Sequence, residues 1–236
     1  MSGHSKWATT HRQKAVADTK RGFTFTKLGK AITIAAKLGG GDLSTNFRLR
    51  LAIDKAKSAS MPKENIERAI KRGTGESADG QIESLAYEGF GPHGVALILE
   101  CLTDNRNRTA SEIKHLFSKS GGSLGSPNSV SWMFNQKGVI RIDKMTDELE
   151  LELIDAGVSD IVKEDNGVTI YCEMGDLKKI KDWLEEKIIE VSYAQIEWVA
   201  KEKKILTDEQ QIDLENFFSL LEENEDIDNH YSNAEI

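Results

Sequence analysis

The sequence predicts an α+β multidomain protein: an N-terminal three-helix module followed by two α+β (ferredoxin-like) domains, one inserted into the other. Three observations lead to this fold. Apolar residues recur at helical spacing in the first third of the chain. Beyond residue 81, apolar runs typical of strands alternate with amphipathic segments typical of helices. A helix and a strand are then left over at the C-terminal end, after one complete βαββαβ unit has been assigned.

The N-terminal module is expected to contain three short helices, over residues 23–38, 46–59 and 62–72. The glycine triplet at 39–41 ends the first helix, because glycine readily adopts the left-handed conformation that follows a helix. Pro62 suits the first turn of the third helix, and Gly73 stops it. The polar, glycine-containing stretch 73–81 predicts a linker.

The rest of the chain reads as strands and helices in alternation. The predicted elements are strand 95–101, helix 108–119, strand 130–134, strand 138–142, helix 147–156, strand 160–163, strand 168–173, helix 176–187, strand 193–199, helix 207–223 and strand 227–231. Asn166-Gly167 predicts a hairpin, and Thr207 with Gln210 predicts a capping box.

The last helix and strand have no partners of their own, so we expect them to complete the βαβ unit that begins at Val95. The predicted domains are therefore residues 1–75, residues 76–135 together with 205–236, and the inserted residues 136–204.

Charge is distributed unevenly along the chain. The formal net charge is −8, yet the first 72 residues contain 16 Lys and Arg against 5 Asp and Glu, so the remainder sums to −19. Such asymmetry predicts that the basic end binds a polyanion. No apolar stretch is long enough to span a membrane, and the N-terminus lacks the apolar core of a secretory signal, so we expect a cytoplasmic protein with no membrane partner.

No enzyme chemistry emerges from the motifs. Residues 89–94 spell G-x-G-x-x-G, but they precede a strand and contain Pro92, which predicts a turn and not a nucleotide site. The five histidines are scattered, and Cys101 with Cys172 matches no zinc spacing. We therefore expect no catalytic residues, metal, cofactor or small-molecule substrate.

Residues 104–109, Asp-Asn-Arg-Asn-Arg-Thr, lie between a predicted strand and the start of a predicted helix. A capping side chain explains part of this motif. Its two arginines either contact an anion or pair with acidic residues of the same half, and pairing is the preferred interpretation.

The candidate binding residues all lie in the basic end of the chain. Trp7 stands outside any periodic apolar pattern, so its ring either folds back on the module or stacks on an exposed base. The predicted nucleic-acid-binding residues are Lys6, Trp7, Arg12, Lys14, Lys20, Arg21, Lys27, Lys30, Lys37, Arg48, Arg50, Lys55, Lys57, Lys71 and Arg72.

Several blocks of residues are similar to the YebC/PmpR family. They include Gly3-His4-Ser5-Lys6-Trp7, Asp18-Thr19-Lys20-Arg21-Gly22, Arg48-Leu49-Arg50-Leu51-Ala52-Ile53-Asp54-Lys55-Ala56-Lys57, Tyr87-Glu88-Gly89, Leu102-Thr103-Asp104-Asn105-Arg106-Asn107-Arg108-Thr109 and Tyr231-Ser232-Asn233-Ala234. The resemblance runs nearly end to end and implies one helical and two α+β domains. It also implies a DNA-binding transcriptional regulator, although relatives such as a mitochondrial translational activator of cytochrome oxidase are linked to ribosomes and translation.

Two classes of function remain open at this point. The first is a non-enzymatic regulator of gene expression that binds DNA, or alternatively RNA as a ribosome-associated translation factor. The second is a protein-interaction adaptor that uses the acidic domains. The sequence does not indicate an oligomeric state.

Overall fold

The computed structural model describes residues 21–77, 81–164 and 166–235, with only the backbone described for residues 21–23. The chain divides into two compact units. The first contains the described residues up to Ser131 together with Thr207–His230, and the second contains Trp132–Leu206 together with residues 231–235.

Seven α-helices and ten strands make up the described chain. The helices are α1 (Arg21–Gly39), α2 (Phe47–Ser58), α3 (Lys63–Gly73), α4 (Arg106–Lys119), α5 (Asp147–Asp155), α6 (Leu177–Glu186) and α7 (Asp208–Glu223). The strands are β1 (Glu83–Phe90), β2 (Ala96–Thr103), β3 (Ser123–Leu124), β4 (Phe134–Ile142), β5 (Asp160–Glu164), β6 (Gly167–Glu173), β7 (Val191–Ala200), β8 (Lys204–Ile205), β9 (Ile227–Ser232) and β10 (Ala234–Glu235).

The helical module forms its own apolar core. Each of the three helices contributes a stripe at helical spacing, and the buried members of this cluster are Leu28, Ile32, Ala35, Ala36, Leu49, Ile53, Ala56, Met61, Ile66 and Ala69. Several are alanines, so the helices approach closely. Gly73 marks the tightest approach, since a Cβ built there would lie 2.3 Å from the backbone oxygen of Thr33 on α1.

Asn46 fixes the turn between α1 and α2. Its side-chain oxygen accepts the backbone N–H of Leu49 and so caps α2, while its Nδ2 donates to the carbonyls of Ala35 and Gly40, both at 2.8 Å. Gly40 has a φ of +82°, so the glycine triplet ends α1 as predicted.

A four-stranded sheet in the order β3-β1-β2-β9 forms the α+β region of the first unit. The predicted return of the last helix and strand is observed, because β9 lies beside β2. The glycine-rich motif is a turn between β1 and β2, as predicted. Gly89 and Gly91 are required there for packing, since a Cβ at either position would clash with residues 123 or 97.

The second unit contains a four-stranded sheet in the order β5-β6-β4-β7, with the element order βαββαβ. This is the arrangement of a ferredoxin-like domain, as predicted. The hairpin at Asn166-Gly167 is present and pairs Glu164 with Gly167. One insertion in the fold is thus established, while the domain boundaries drawn from the sequence stay predictions.

One strand assignment from the sequence was wrong, and strand β1 was missed. Residues 130–134 do not form a strand, because Ser131–Met133 is a 3₁₀ turn and Phe134 already belongs to β4. Strand β1 was not predicted from the sequence; four of its eight residues are exposed, and the other four are partly or fully buried. Its hydrogen bonds to β2 define this strand, and they cannot be read from local hydrophobicity.

Removing the Asn46 side chain is expected to destabilise the module. Asn46→Ala deletes a helix cap and removes the hydrogen bonds to the carbonyls of Ala35 and Gly40, the first of which is buried; this costs about 2 kcal/mol. Chemical denaturation followed by circular dichroism measures this change, with the exposed Thr45→Ala as a control. Equal stability of the two variants would contradict the structural role of Asn46.

Candidate nucleic-acid interface

Six of the predicted binding residues cannot be placed as side chains. Lys6, Trp7, Arg12, Lys14 and Lys20 lie outside the described residues, and only the backbone of Arg21 is described. Their contact with nucleic acid stays a prediction from the sequence.

Three predicted binding residues on α1 have a different role in the structure. The Nζ of Lys27 donates to the carbonyl of Glu222 at 2.6 Å, and the Nζ of Lys37 donates to the carbonyl of Ile82 at 3.2 Å. Lys30 forms an ion pair with Asp226 at 2.7 Å. These amines fasten the module to the α+β region of the same unit. Binding of nucleic acid by Lys27, Lys30 and Lys37 stays a prediction, and in this structure their amines already have partners within the chain.

Burial explains why the roles of Lys27 and Lys30 cannot be judged from a count of charges alone. The Lys30 side chain is 14% exposed, and its partner carboxylate is 3% exposed. Desolvation lowers the pKa of Lys27, despite the opposing influence of nearby acids. The sequence showed a basic helix edge, but only the fold shows that this edge faces carbonyls and a carboxylate.

Asp226 is the centre of a buried polar network. Besides Lys30, its carboxylate accepts hydrogen bonds from Thr103 at 3.1 Å, from Thr109 at 2.7 Å and from Arg108 at 2.8 Å. Its backbone carbonyl accepts the N–H of Leu102 at 2.8 Å. The end of β2, the first turn of α4, helix α1 and the returning C-terminal segment therefore meet at one carboxylate.

The network settles how the motif at residues 104–109 is used. Asn105 caps α4 by accepting the N–H of Arg108. Arg108 pairs with Asp226 and Asp104, and both pairings raise its pKa. The predicted ion-pair interpretation is thus confirmed for Arg108.

Six predicted binding residues remain on α2 and α3, and we call them the module cations. They are Arg48, Arg50, Lys55, Lys57, Lys71 and Arg72. On α2, Arg48 and Lys55 are seven residues apart and share one edge, while Arg50 and Lys57 share the other. Among the described residues, Arg48, Lys55 and Lys57 are exposed and have no hydrogen-bond or ion-pair partner.

The two helices that bear these cations are joined by a connection of four residues, 59–62. Ser60 is left-handed there with a φ of +61°, and Met61 is buried in the module core. A connection of this length occurs in helix-turn-helix pairs and also in antiparallel helix hairpins. Nearer the start of α3, Lys63 pairs with Glu67, so that end of the helix is mixed in charge.

The described part of the chain also bears on metal binding and on membrane insertion. Within the described ranges, no group of three or more His, Cys, Asp or Glu side chains is arranged to hold a metal ion. In the same part of the chain, no helix is long and apolar enough to cross a membrane. The free thiols of Cys101 and Cys172 are buried, and burial raises the pKa of Cys172 to about 11.

Comparison with known proteins gives matches over nearly the whole chain. A family model described as TACO1/YebC protein N-terminal domain matches residues 5–76, and one described as TACO1/YebC second and third domain matches residues 82–234. A "Probable transcriptional regulatory protein" of Thermoanaerobacter pseudethanolicus is 46% identical and covers 100% of this chain and 98% of its own. One of the same name from Halothermothrix orenii is 48% identical and covers 100% and 96%.

A solved structure has the same fold as this chain. The crystal structure of a conserved hypothetical protein from Aquifex aeolicus, Aq1575, superposes with a TM-score of 0.86 at 40% identity. The match covers 94% of this chain and 93% of that one.

The Asp226 network predicts a specific dependence of stability on pH. Burial alone would raise the pKa of Asp226, but hydrogen bonds from Lys30, Arg108 and Thr109 outweigh it and lower the pKa to about 2. Relative to the ordinary value of 3.8, this corresponds to about 2 kcal/mol of stability. Because the folded pKa is depressed, this contribution is present above about pH 4 and is lost as pH falls toward 2.

Asp226→Asn is therefore expected to lower the free energy of unfolding by about 2 kcal/mol at pH 7. The difference from the unaltered protein should shrink between pH 4 and pH 2. Urea denaturation at several pH values measures it, with the exposed Asp54→Asn as the control. A difference that stays constant down to pH 2 would exclude this linkage.

Proposed function

The chain belongs to the TACO1/YebC family, and from this premise we propose that it regulates gene expression as a nucleic-acid-binding protein whose helical module contacts the phosphate backbone. The preferred ligand is DNA, in keeping with the transcriptional-regulator names of its relatives. We propose a cytoplasmic location, in keeping with a nucleic-acid ligand. We assign it no catalytic activity.

One observation carries this proposal: both edges of α2 bear exposed cations, while Asp54 is the only acidic residue in that helix. The α1 lysines that interact within the chain do not reduce this charge. Exposed Lys and Arg side chains that have no carboxylate partner are free to neutralise phosphates, and the released counterions favour binding. Ion pairing within the protein would have removed this driving force.

The helix connection favours duplex DNA as the ligand. In a helix-turn-helix pair, the second helix enters the major groove while the first contacts the backbone. By this analogy α2, with its two cationic edges, would lie along the backbone. Arg68 and Asn65 on α3 are hydrogen-bonded to each other at 2.8 Å and are of the residue types that recognise guanine and adenine edges.

A second candidate, binding of RNA as a translation factor, is favoured by one feature of α3. Glu64 and Glu67 lie in the first half of that helix and are both exposed. Carboxylates there would meet the phosphates that line a major groove. Folded RNA contacted along its outer backbone would avoid this repulsion, with α2 as the principal contact.

Reversing the charge of α2 tests the proposal. The triple variant Arg48→Glu, Lys55→Glu and Lys57→Glu should weaken binding to duplex DNA roughly a hundredfold at ~0.1 M salt, because three phosphate contacts become repulsive. The slope of log affinity against log salt should become shallower by about 2.7, that is about 0.9 for each contact. Fluorescence anisotropy with a labelled DNA duplex and a labelled RNA hairpin measures both.

The matched control places the same charge change on the second unit. Lys144, Lys178 and Lys179 are exposed there, and their triple reversal to Glu should leave binding nearly unchanged. Circular dichroism verifies that both variants are folded. If the α2 variant binds both ligands as well as the unaltered protein does, the proposed function is wrong. If the α2 variant loses binding of RNA but not of DNA, the second candidate function, RNA binding, replaces the first.

A further inference from the structure

A local reversal of charge interrupts the acidic part of the chain. Residues 73–236 sum to −19, yet the stretch 106–131 contains four Lys and Arg against a single acid, Glu112. The following loop, from Ser120 to Ser131, has no charged residue at all. This stretch forms α4 and the loop after it, both within the first compact unit.

The cations of α4 are divided between two roles. Arg108 is engaged with Asp226, whereas Arg106, Lys114 and Lys119 are exposed. The one acid of the helix is already engaged, since Glu112 accepts a hydrogen bond from Asn224 at 2.9 Å. What α4 presents to solvent is therefore cationic and polar.

One exposed face of α4 consists of polar side chains and a lysine. Asn107, Ser111, Lys114 and Ser118 follow one another at spacings of four, three and four residues, which places them along one side of the helix. All four are exposed. A helix face made of short polar side chains and a lysine allows a polyanion to approach closely, without an apolar or acidic residue in the way.

The loop beside this helix is held in a fixed shape by Glu88 on β1. The two carboxylate oxygens accept the backbone N–H groups of Asn128, Val130 and Ser131, each at 2.8 Å. The backbone carbonyl of Glu88 accepts the N–H of Gly125 at 2.7 Å. A Gly- and Ser-rich segment is otherwise flexible, so these four bonds define its conformation.

The fixed loop presents an uncharged polar tip. Ser126, Pro127 and Asn128 are all exposed, and Asn128 is held in the left-handed region with a φ of +67°. Groups that are ordered before binding lose little conformational entropy when a ligand arrives. Hydroxyl and amide groups of this kind suit the sugar and base edges of an unpaired strand, which a duplex hides.

The helical module and α4 are neighbours. The Nζ of Lys30 on α1 and a guanidinium nitrogen of Arg108 on α4 lie 2.7 Å and 2.8 Å from the carboxylate of Asp226. The first turn of α4, which includes Arg106, therefore adjoins the module.

We propose that α4 and the loop tip at residues 126–128 form a second nucleic-acid contact, which takes an unpaired strand that extends from the ligand of the helical module. Arg106 and Lys114 contact its phosphates, and the tip contacts its sugars and bases. This inference rests on the proposed function of the module. The same chemistry is offered by single-stranded RNA and by single-stranded DNA.

Charge reversal on α4 tests the phosphate contacts. The double variant Arg106→Glu and Lys114→Glu should weaken binding of a single-stranded oligonucleotide about tenfold, and should make its salt slope shallower by about 1.4, at about 0.7 for each contact. Binding of a blunt duplex should change less. The matched control is Lys178→Glu with Lys179→Glu. Equal loss for blunt duplex and single strand would overturn the assignment to an unpaired strand.

The loop has a test of its own, in which two effects oppose each other. Glu88→Gln removes a negative charge, so electrostatics alone predicts tighter binding of nucleic acid. The same substitution also removes hydrogen bonds that hold the loop in shape. The variant should therefore bind the single strand about fivefold more weakly, because the tip must then become ordered on binding. Pro127→Gly loosens the tip while leaving Glu88 in place and should act in the same direction. Unchanged or tighter binding by both variants would overturn the role of the loop.

The module variant separates this inference from the proposed function. If the α2 triple variant loses binding while the α4 and loop variants keep it, the second contact is wrong and the proposed function stands. If the α2 variant binds normally, the proposed function fails, whatever the α4 variants do. Parallel titrations with single-stranded RNA and single-stranded DNA identify the preferred strand.

Discussion

The buried carboxylate of Asp226 is the interaction on which the first compact unit depends. It belongs to the segment that returns after the inserted domain, and it bonds to Lys30 of the module, to Thr103 at the end of β2, and to Arg108 and Thr109 in α4. An uncompensated carboxylate would be costly at 3% exposure. The network compensates it only when all these segments are in place, and thereby couples the module to the α+β region.

This coupling explains why similar lysines have different roles. Lys30 on α1 neutralises a carboxylate, whereas Lys55 on α2 is exposed and unpaired among the described residues. Both looked equivalent as basic residues beside an amphipathic stripe. The difference arises because α1 packs against two surfaces: its apolar stripe faces α2 and α3, and its basic edge faces the α+β region. Helix α2 packs on one side only, so its cations remain at the surface.

The elements that were predicted correctly are those marked by short motifs of neighbouring residues in the sequence. The capping box of Thr207 and Gln210, and the hairpin at Asn166-Gly167, each depend on a few adjacent residues, and both are present. Strand β1 was missed because it is stabilised by long-range pairing with β2, and only half of its residues are even partly buried. The partner of Lys30 lies 196 residues away, so no pattern in the sequence could assign it.

The remaining question is how a chain with a net charge of −8 can hold a polyanion at all. Screening answers it, since charges separated by more than about 8 Å interact weakly at physiological ionic strength. Only the charges next to the ligand then matter, and the sign of each local surface outweighs the sign of the whole chain. By this criterion the exposed edges of α2 are suitable surfaces. The face of α4 is a second one, because the four cations of this helix outnumber its single acid, Glu112.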